Sequence, residues 1–345
     1  MEKLIRIGMD TSKRVFQLHG VNAAEQAVLK KKLRRKEMLE FFAKLEPMVI
    51  GIEACGGAHH WARVLGEMGH SVRLIAPQHA KRFVKRGKND AADAAALCEA
   101  MNRPDMQFVA VKTAEQQAAL MLMGTRDRLV RVRTQLSNAI RAYATEFGLI
   151  AAKGLDKIEP LLARACADES LPSLARELFA LHGREYTRLQ TELREVEAKL
   201  MAWHRGSACS RRLAEVPSIG PIGATMLAMK QADAQACRSG RYFSAWMGMT
   251  PKDHSTAGKV RLGGITRAGD PALRSVLVVG AMAVIRQALG HPERASPWLL
   301  ALLKRKPKKL AAVALANKTA RVAWKMMVTG ERYDPKRASI GLLAA

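Results

Sequence analysis

The chain reads as an α/β domain followed by two helical segments, on three observations. Short apolar runs alternate with helical patterns over the first hundred residues or so, the short runs vanish from about Thr113, and beyond that point apolar residues recur at steps of three and four. At 345 residues and 48% hydrophobic composition the chain is long enough for two or three cores. The pattern changes near residues 107 and 207, giving an α/β domain over 1–106, a helical coiled-coil-like arm over 107–206 and a mainly α domain over 207–345.

In the first domain the strand candidates are residues 4–10, 14–20, 26–31, 48–54 and 71–76, and the helix candidates are 37–44, 59–68 and 91–101. Asp10 follows the apolar run 4–9 and Glu53 follows the run 48–52, so each carboxylate sits where a side chain leaves a strand end and reaches a cleft. Asp90 and Asp93 open an alanine-rich helical stretch, and their i, i+3 spacing puts both on one helical face. The formal net charge is +26, with 57 Lys and Arg against 31 Asp and Glu. Gathered carboxylates in so basic a protein are a natural seat for magnesium beside a phosphate backbone. Each acid also has a plainer structural role open to it. Asp10 can begin a turn, Asp90 can cap the following helix and Asp93 can complement its dipole, whereas Glu53, ending an apolar strand, must be solvated or paired. His59 and His60 start a helix after two glycines, and His254 lies in a loop, where histidines are usually solvated.

In the arm, Leu129, Val132, Leu136 and Ile140 recur at helical spacing, with Arg126, Arg128, Arg131, Arg133 and Arg141 assigned to the opposite face. Leu189, Leu193, Val196, Leu200 and Trp203 form a second amphipathic seam. Two long helices joined by a loop-rich region over 151–172 make either an oligomerisation arm or a helical domain packed on its neighbour.

The third segment opens with Val216-Pro-Ser-Ile-Gly220-Pro-Ile-Gly223. A Gly-x-x-Gly turn between short helices lets backbone N–H groups approach a phosphate, as in helix-hairpin-helix motifs; the alternative is a tight interhelical turn. A glycine-rich loop over 249–270 follows, carrying Lys259, Arg261 and Arg267, and ends at Asp270-Pro271, an N-cap and first-turn proline that launch a helix over 272–289. A loop hydroxyl, Ser255 or Thr256, can attack a phosphodiester while these cations stabilise the developing charge, although most serines in such loops make turn hydrogen bonds.

A sequence pI near 10.4 points to a polyanionic partner. No apolar run is expected to reach the length of a membrane span, the first 20 residues lack a signal-peptide core, and the five cysteines show no metal-ligand spacing, so they read as reduced thiols in a cytoplasmic protein. Basic clusters at 30–36, 81–88 and 304–309 suit backbone contacts or are solvated faces.

The ordered motifs Ile7-Gly-Met-Asp10-Thr-Ser-Lys13, Gly51-Ile-Glu53-Ala-Cys-Gly-Gly57, Lys88-Asn-Asp90-Ala-Ala-Asp93, Val216-Pro-Ser-Ile-Gly220, Phe243-Ser-Ala-Trp-Met-Gly-Met-Thr-Pro251 and Gly263-Gly-Ile-Thr-Arg-Ala-Gly-Asp270 closely resemble the DEDD transposases of insertion-sequence family one-ten, most of all its eleven-eleven branch. That family includes Piv-type DNA invertases and recombinases guided by a bridge RNA. The resemblance covers nearly the whole chain. It implies a RuvC-like, ribonuclease-H-type fold for the first domain, with Asp10, Glu53, Asp90 and Asp93 as a tetrad binding Mg2+, two ions to a site. It implies a C-terminal transposase domain whose serine, Ser255 by its spacing to Arg267-Ala-Gly269, becomes joined to DNA through a 5′-phosphoserine. It further implies donor and target DNA as substrates, a noncoding guide RNA, a dimer assembling to a tetramer, and action at the bacterial nucleoid. Two rivals differ in kind: a metal-dependent Holliday-junction endonuclease that forms no covalent intermediate, and a noncatalytic nucleic-acid-binding protein.

Overall fold

In a computed structural model, which describes residues 3–83, 90–104, 106–231 and 233–335, the chain divides into two compact units, Met1–Gln117 and Ala118–Ala345. The first is built on a mixed sheet and the second is mostly helical.

The first unit runs β1 (Arg6–Asp10), β2 (Val15–Val21), β3 (Ala27–Arg34), α1 (Met38–Ala43), β4 (Val49–Glu53), α2 (Ala58–Glu67), β5 (Ser71–Ile75), α3 (Pro77–Ala80), α4 (Asp90–Ala100) and β6 (Phe108–Val109). All five strands and three helices expected there are present, with ends shifted by up to three residues; α3 and β6 are additions too short to carry a sequence signal. The sheet order is β3-β2-β1-β4-β5-β6, with β1, β2 and β3 antiparallel and β1, β4 and β5 parallel. Strand side chains alternate between faces. Ile7, Met9, Ile50 and Ile52 point to one face, where they bury against Met38 and Phe42 of α1 and Trp61 and Leu65 of α2.

The opposite face belongs to α4, and two glycines decide how close it comes. Gly8 and Gly51 are paired neighbours on β1 and β4. A Cβ on Gly8 would lie 2.1 Å from the Ala94 carbonyl oxygen and 2.6 Å from the Cys98 amide, and one on Gly51 would lie 2.5 Å from Met101 Sδ. The alanines of α4 complete the fit, with Ala94, Ala96 and Ala100 buried. Helix backbone therefore rests directly on strand backbone.

Helix α5 (Ala114–Glu146) begins four residues before the division and continues into the second unit, where α6 (Ile158–Ala167) and α7 (Ser173–Gly206) follow. The long helices are as expected, but the region 151–172 is not loop-rich: it holds α6, whose Ile158, Leu161, Leu162 and Ala165 are buried with Leu129 and Ile140 of α5 and Tyr186 and Leu189 of α7. Ten residues bounded by acidic and basic caps were too few for a periodic signal to stand out. The α7 seam serves two cores: Leu189 and Leu193 face α5 and α6, while Leu200 and Trp203 pack with the C-terminal helices.

Those are α8 (Ala208–Leu213), α9 (Pro221–Lys230), α10 (Gly240–Trp246), the strands β7 (Pro251–Asp253) and β8 (Leu262–Ile265), then α11 (Pro271–Gly290), α12 (Pro297–Arg305) and α13 (Lys308–Thr329). Asp270 caps α11 as expected, accepting from the Ala272 and Leu273 N–H groups at 2.9 and 3.0 Å. Contrary to expectation, α11 is long and apolar enough to cross a membrane. Here Leu273, Leu277, Ala281, Ile285 and Ala288 form one stripe at helical spacing and bury against the alanines of α13, which makes it a core helix of this unit.

Replacing Gly8 by Ala is expected to lower stability by about 1–3 kcal/mol, because the new methyl group overlaps backbone that cannot rotate away. Gly56→Ala, where a Cβ meets nothing within 4 Å, is the control and should change stability by less than about 0.5 kcal/mol. Urea unfolding of the two variants measures the difference.

Candidate active site

Since Asp10 stands two residues after Gly8 and Glu53 two residues after Gly51, both carboxylates leave the sheet on the α4 face, at the C-terminal ends of adjacent parallel strands. Across from them, Asp90 and Asp93 occupy the first turn of α4, one residue before the Ala94 that touches Gly8. Ligand oxygens of Asp10, Asp90 and Asp93 lie within 4.8 Å of one another. Glu53 falls outside that trio yet stands near enough for its charge to act on Asp10.

The electrostatics match the geometry. Asp10 is half-buried, and its pKa is pushed up to about 6, first by burial and then by the charges of Asp90, Asp93 and Glu53; the Thr11 backbone N–H offsets this in part. Among the described residues none of the four acids has an ion-pair partner. Clustered, unpaired carboxylate oxygens beside a raised pKa are a fitting donor set for a hard divalent cation, which would relieve the mutual repulsion. Two contacts in this unit were not anticipated from the sequence. Thr11 Oγ1 and Cys55 Sγ lie 3.1 Å apart and link the chain just beyond β1 to the chain just beyond β4. His59 accepts from the Lys112 backbone N–H at 3.1 Å, and burial beside Lys112 and Arg63 lowers its pKa to about 4, so it is a neutral tether.

Ser255 lies in the second unit, on a β-hairpin where a glycine-rich loop was expected. The turn Thr256-Ala257-Gly258-Lys259 has φ of 48° at Ala257 and 76° at Gly258, with reciprocal backbone bonds between Thr256 and Lys259, as a type I′ turn requires. Ser255 is exposed beside it. Its Oγ accepts from the Arg261 N–H at 3.0 Å and its N–H donates to Asp253 Oδ1 at 2.8 Å. The Ser255 hydroxyl also donates to the Asp253 carboxylate, and this bond is the first cause holding that acid below its usual range. Asp253 is the residue the sequence reading missed; an acid two residues before a serine, at the start of a turn, was the available signal. Thr256 is committed to the turn, and Ser244 is buried in α10. Lys259, Arg261 and Arg267 are all exposed on the hairpin and the segment after it.

The remaining assignments separate. Gly220 is exposed and caps α9, but Gly223 lies inside that helix, buried with Ile219 and Val276 as its nearest neighbours. Only the first glycine of the turn has a free backbone face. The five arginines of α5 do not share one face: Arg128 and Arg131 are exposed, whereas Arg126, Arg133 and Arg141 are half-buried. Arg126 bonds Glu197 of α7 at 2.8 Å and Arg141 donates to the Gly154 carbonyl, because positions 126, 133 and 141 turn toward the α6 and α7 side. Of the basic cluster at 81–88, residues 84–88 lie outside the described residues.

Comparison with known proteins fits both halves of this description. A family model described as "Transposase", of the DEDD type, matches residues 7–148, and one described as "Transposase IS116/IS110/IS902 family" matches residues 210–295. "Transposase for insertion sequence element IS1111A" of Coxiella burnetii is 35% identical over 96% of this chain and 92% of its own length. The chain belongs to the IS116/IS110/IS902 family of transposases. This transposase is also 64% identical to "Putative transposase y4pF/y4sB" of Sinorhizobium fredii, over 96% of the chain and 86% of that protein. It is 37% identical to "Transposase for insertion sequence element IS1328" of Yersinia enterocolitica, over 97% and 100%.

The raised Asp10 pKa has a testable consequence in metal-free buffer. The folded acid holds its proton more tightly than the unfolded chain, whose aspartate titrates near 3.8. The resulting stabilisation is present below that value and is lost as pH rises through about 6. Denaturation midpoints of the wild type should therefore fall relative to those of Asp10→Asn across this window, and parallel curves would show that Asp10 does not titrate there. Solvent screening at a half-buried site makes the shift smaller than the full linkage value.

Proposed function

We propose that this transposase is an RNA-guided, site-specific DNA recombinase that cuts and rejoins DNA through a 5′-phosphoserine intermediate. The observation that carries the proposal is the convergence of Asp10, Asp90 and Asp93, with Glu53 beside them, in a chain of a DEDD transposase family. The first unit is read as a RuvC-like, ribonuclease-H-type domain, supported by its three antiparallel strands leading into parallel β4 and β5. The helical arm is read over residues 107–206 and the transposase domain that carries the serine over 207–345.

Mg2+, two ions to a site, bound by Asp10, Glu53, Asp90 and Asp93 would supply Lewis-acid polarisation of the scissile phosphate. Asp10 must give up its proton to join such a site, so binding is favoured above about pH 6. Ser255 Oγ attacks the phosphorus, the bond to the 3′ oxygen breaks, and the hydroxyl proton ends on the departing oxygen, leaving a 5′-phosphoserine and a free 3′ hydroxyl. Attack by another 3′ hydroxyl reverses these bonds and rejoins the DNA without ATP. Asp253 and the Arg261 N–H hold the serine hydroxyl in one orientation; a carboxylate whose pKa is lowered is a poor proton acceptor, so Asp253 acts by positioning. Lys259, Arg261 and Arg267 place positive charge around the reacting phosphate. Strand choice is assigned to a noncoding guide RNA, with the exposed Arg128 and Arg131 and the amide end at Gly220 suited to backbone contacts. The active species is a dimer assembling to a tetramer on DNA, in the bacterial cytoplasm.

Trapping the adduct on a nicked or suicide substrate tests the reading. Asp10→Ala, Glu53→Ala, Asp90→Ala and Asp93→Ala should each abolish recombination while nucleic-acid binding persists, and Ser255→Ala should abolish the adduct while Thr256→Ala retains it. Cleavage without an adduct would favour a resolvase-like nuclease, and an adduct mapped by peptide sequencing to another residue would overturn Ser255. Asp253→Asn keeps an acceptor for the Ser255 N–H but weakens the bond from its hydroxyl. It should slow adduct formation roughly tenfold to a hundredfold, with folding unchanged; an unaltered rate would remove Asp253 from the site.

A further inference from the structure

The register of the sheet ties the acidic cluster to a row of cations that the reading so far leaves without a task. Asp10 pairs across β1 and β2 with Gln17, and Gln17 pairs across β2 and β3 with Lys32. One step along, Gly8 pairs with His19 and His19 with Lys30. Directly paired residues share a sheet face, so Lys30, Lys32, Gln17 and His19 all lie on the face that carries Asp10 and α4. Strands sit about 4.8 Å apart, which puts the Lys32 backbone roughly 10 Å from that of Asp10 along a straight line of residues. Between them runs a cleft of about 470 Å³ lined by the β2 and β3 segments Gln17-Leu18-His19 and Lys30-Lys31-Lys32 on one side and by Ala91, Ala92 and Ala95 of α4 on the other. Ala91, Ala92 and Ala95 are small enough to leave this cleft open, beside the Ala94 that rests on Gly8.

Charge marks the occupant. Among the described residues Lys30 and Lys32 form no ion pair, both are exposed, and burial followed by the Lys30 charge depresses protonation of His19. Lys31, between them, turns to the other face and stacks its ammonium over the Phe41 ring at 4.9 Å. The row therefore carries two unneutralised cations and neutral hydrogen-bonding groups, ending at the carboxylates.

We propose that this cleft is a track for the phosphate backbone of the DNA strand being cut, with Lys30 and Lys32 each contacting a phosphate a short distance from the one at the acidic cluster. The inference rests on the reading of that cluster as the cutting site. The cations fix the direction in which the strand leaves the cluster, because the opposite neighbour of Asp10 in the sheet is the acidic Glu53. Gln17 and His19 bridge the two charge regimes as uncharged groups, where a third lysine would have paired with Asp10.

Binding of the full chain to a fluorescein-labelled DNA duplex carrying the element's own terminus, followed over a range of salt concentrations, tests the track. The double variant Lys30→Gln, Lys32→Gln should flatten the dependence of log K on log salt by about two units, near 0.9 for each lost phosphate contact. Lys31→Gln should leave the slope unchanged. Neutral methylphosphonates placed singly along the strand should weaken wild-type binding beside the cleavage position and should have no further effect there in the double variant. An unchanged slope would mean that the lysines only guard the edge strand β3 against pairing, and would overturn the proposal. So would methylphosphonate sensitivity that the double variant retains, or a slope change seen only with an RNA probe. Asp10→Asn separates the two readings: if it still cuts, the cluster is not the cutting site, and this is learned without reference to the lysine measurement.

Discussion

Everything at the acidic site depends on backbone lying against backbone at Gly8. With no side chain there, α4 settles onto β1 until its Ala94 carbonyl fills the space a Cβ would take, and that depth brings the first turn of the helix level with the end of the strand. Gly51 repeats the arrangement on β4 with Met101 as the covering group. A helix resting on ordinary side chains would stand several ångströms further from the sheet, and three carboxylates could not share a 4.8 Å neighbourhood. Packing thus does the assembling, and the electrostatic repulsion recorded in the pKa of Asp10 is what that packing withstands.

Much of this was legible in the chain. The strands and helices of the first unit announce themselves through alternation, and the acids stand at their ends. The repeated pattern of glycine, any residue, acid, in Gly8-Met-Asp10 and again in Gly51-Ile-Glu53, encodes both the helix contact and the carboxylate beyond it in three residues. Less legible was anything that depends on which neighbour a residue meets. Arg126 looks like Arg128 in sequence, yet one is spent on Glu197 while the other faces solvent, since the partner lies 71 residues away on α7. The α6 helix was too short for periodicity, and the hairpin at Ser255 was hidden because Ala257, not glycine or asparagine, takes a positive φ in its turn. Gly223 was misread as part of an open turn because a glycine inside a helix and one at its cap look alike until the neighbouring Val276 is known.

Charge in this molecule is organised by contrast. In a chain of net charge +26, four acids gather beside one end of one cleft, and on that face of the sheet the row passes from Glu53 and Asp10 through neutral Gln17 to Lys32. Such an arrangement repels free anions from the carboxylates and admits only an anion that brings, or meets, compensating cations there.

The hairpin carrying Ser255 stands in a different mechanical condition from the acids. Its strands β7 and β8 bury almost no side chain, and a two-stranded ribbon in water has little free energy of its own with which to keep its shape. The acids are therefore set at the moment of folding, whereas the serine is held only as firmly as its few local bonds allow. On the proposed function, much of the entropy of ordering the hairpin then falls on the binding of DNA. If Ser255 is the nucleophile proposed above, it is an idle reagent until a polyanion stiffens the ribbon, which would shield the cell's other phosphodiesters from a reactive hydroxyl carried on a highly cationic protein.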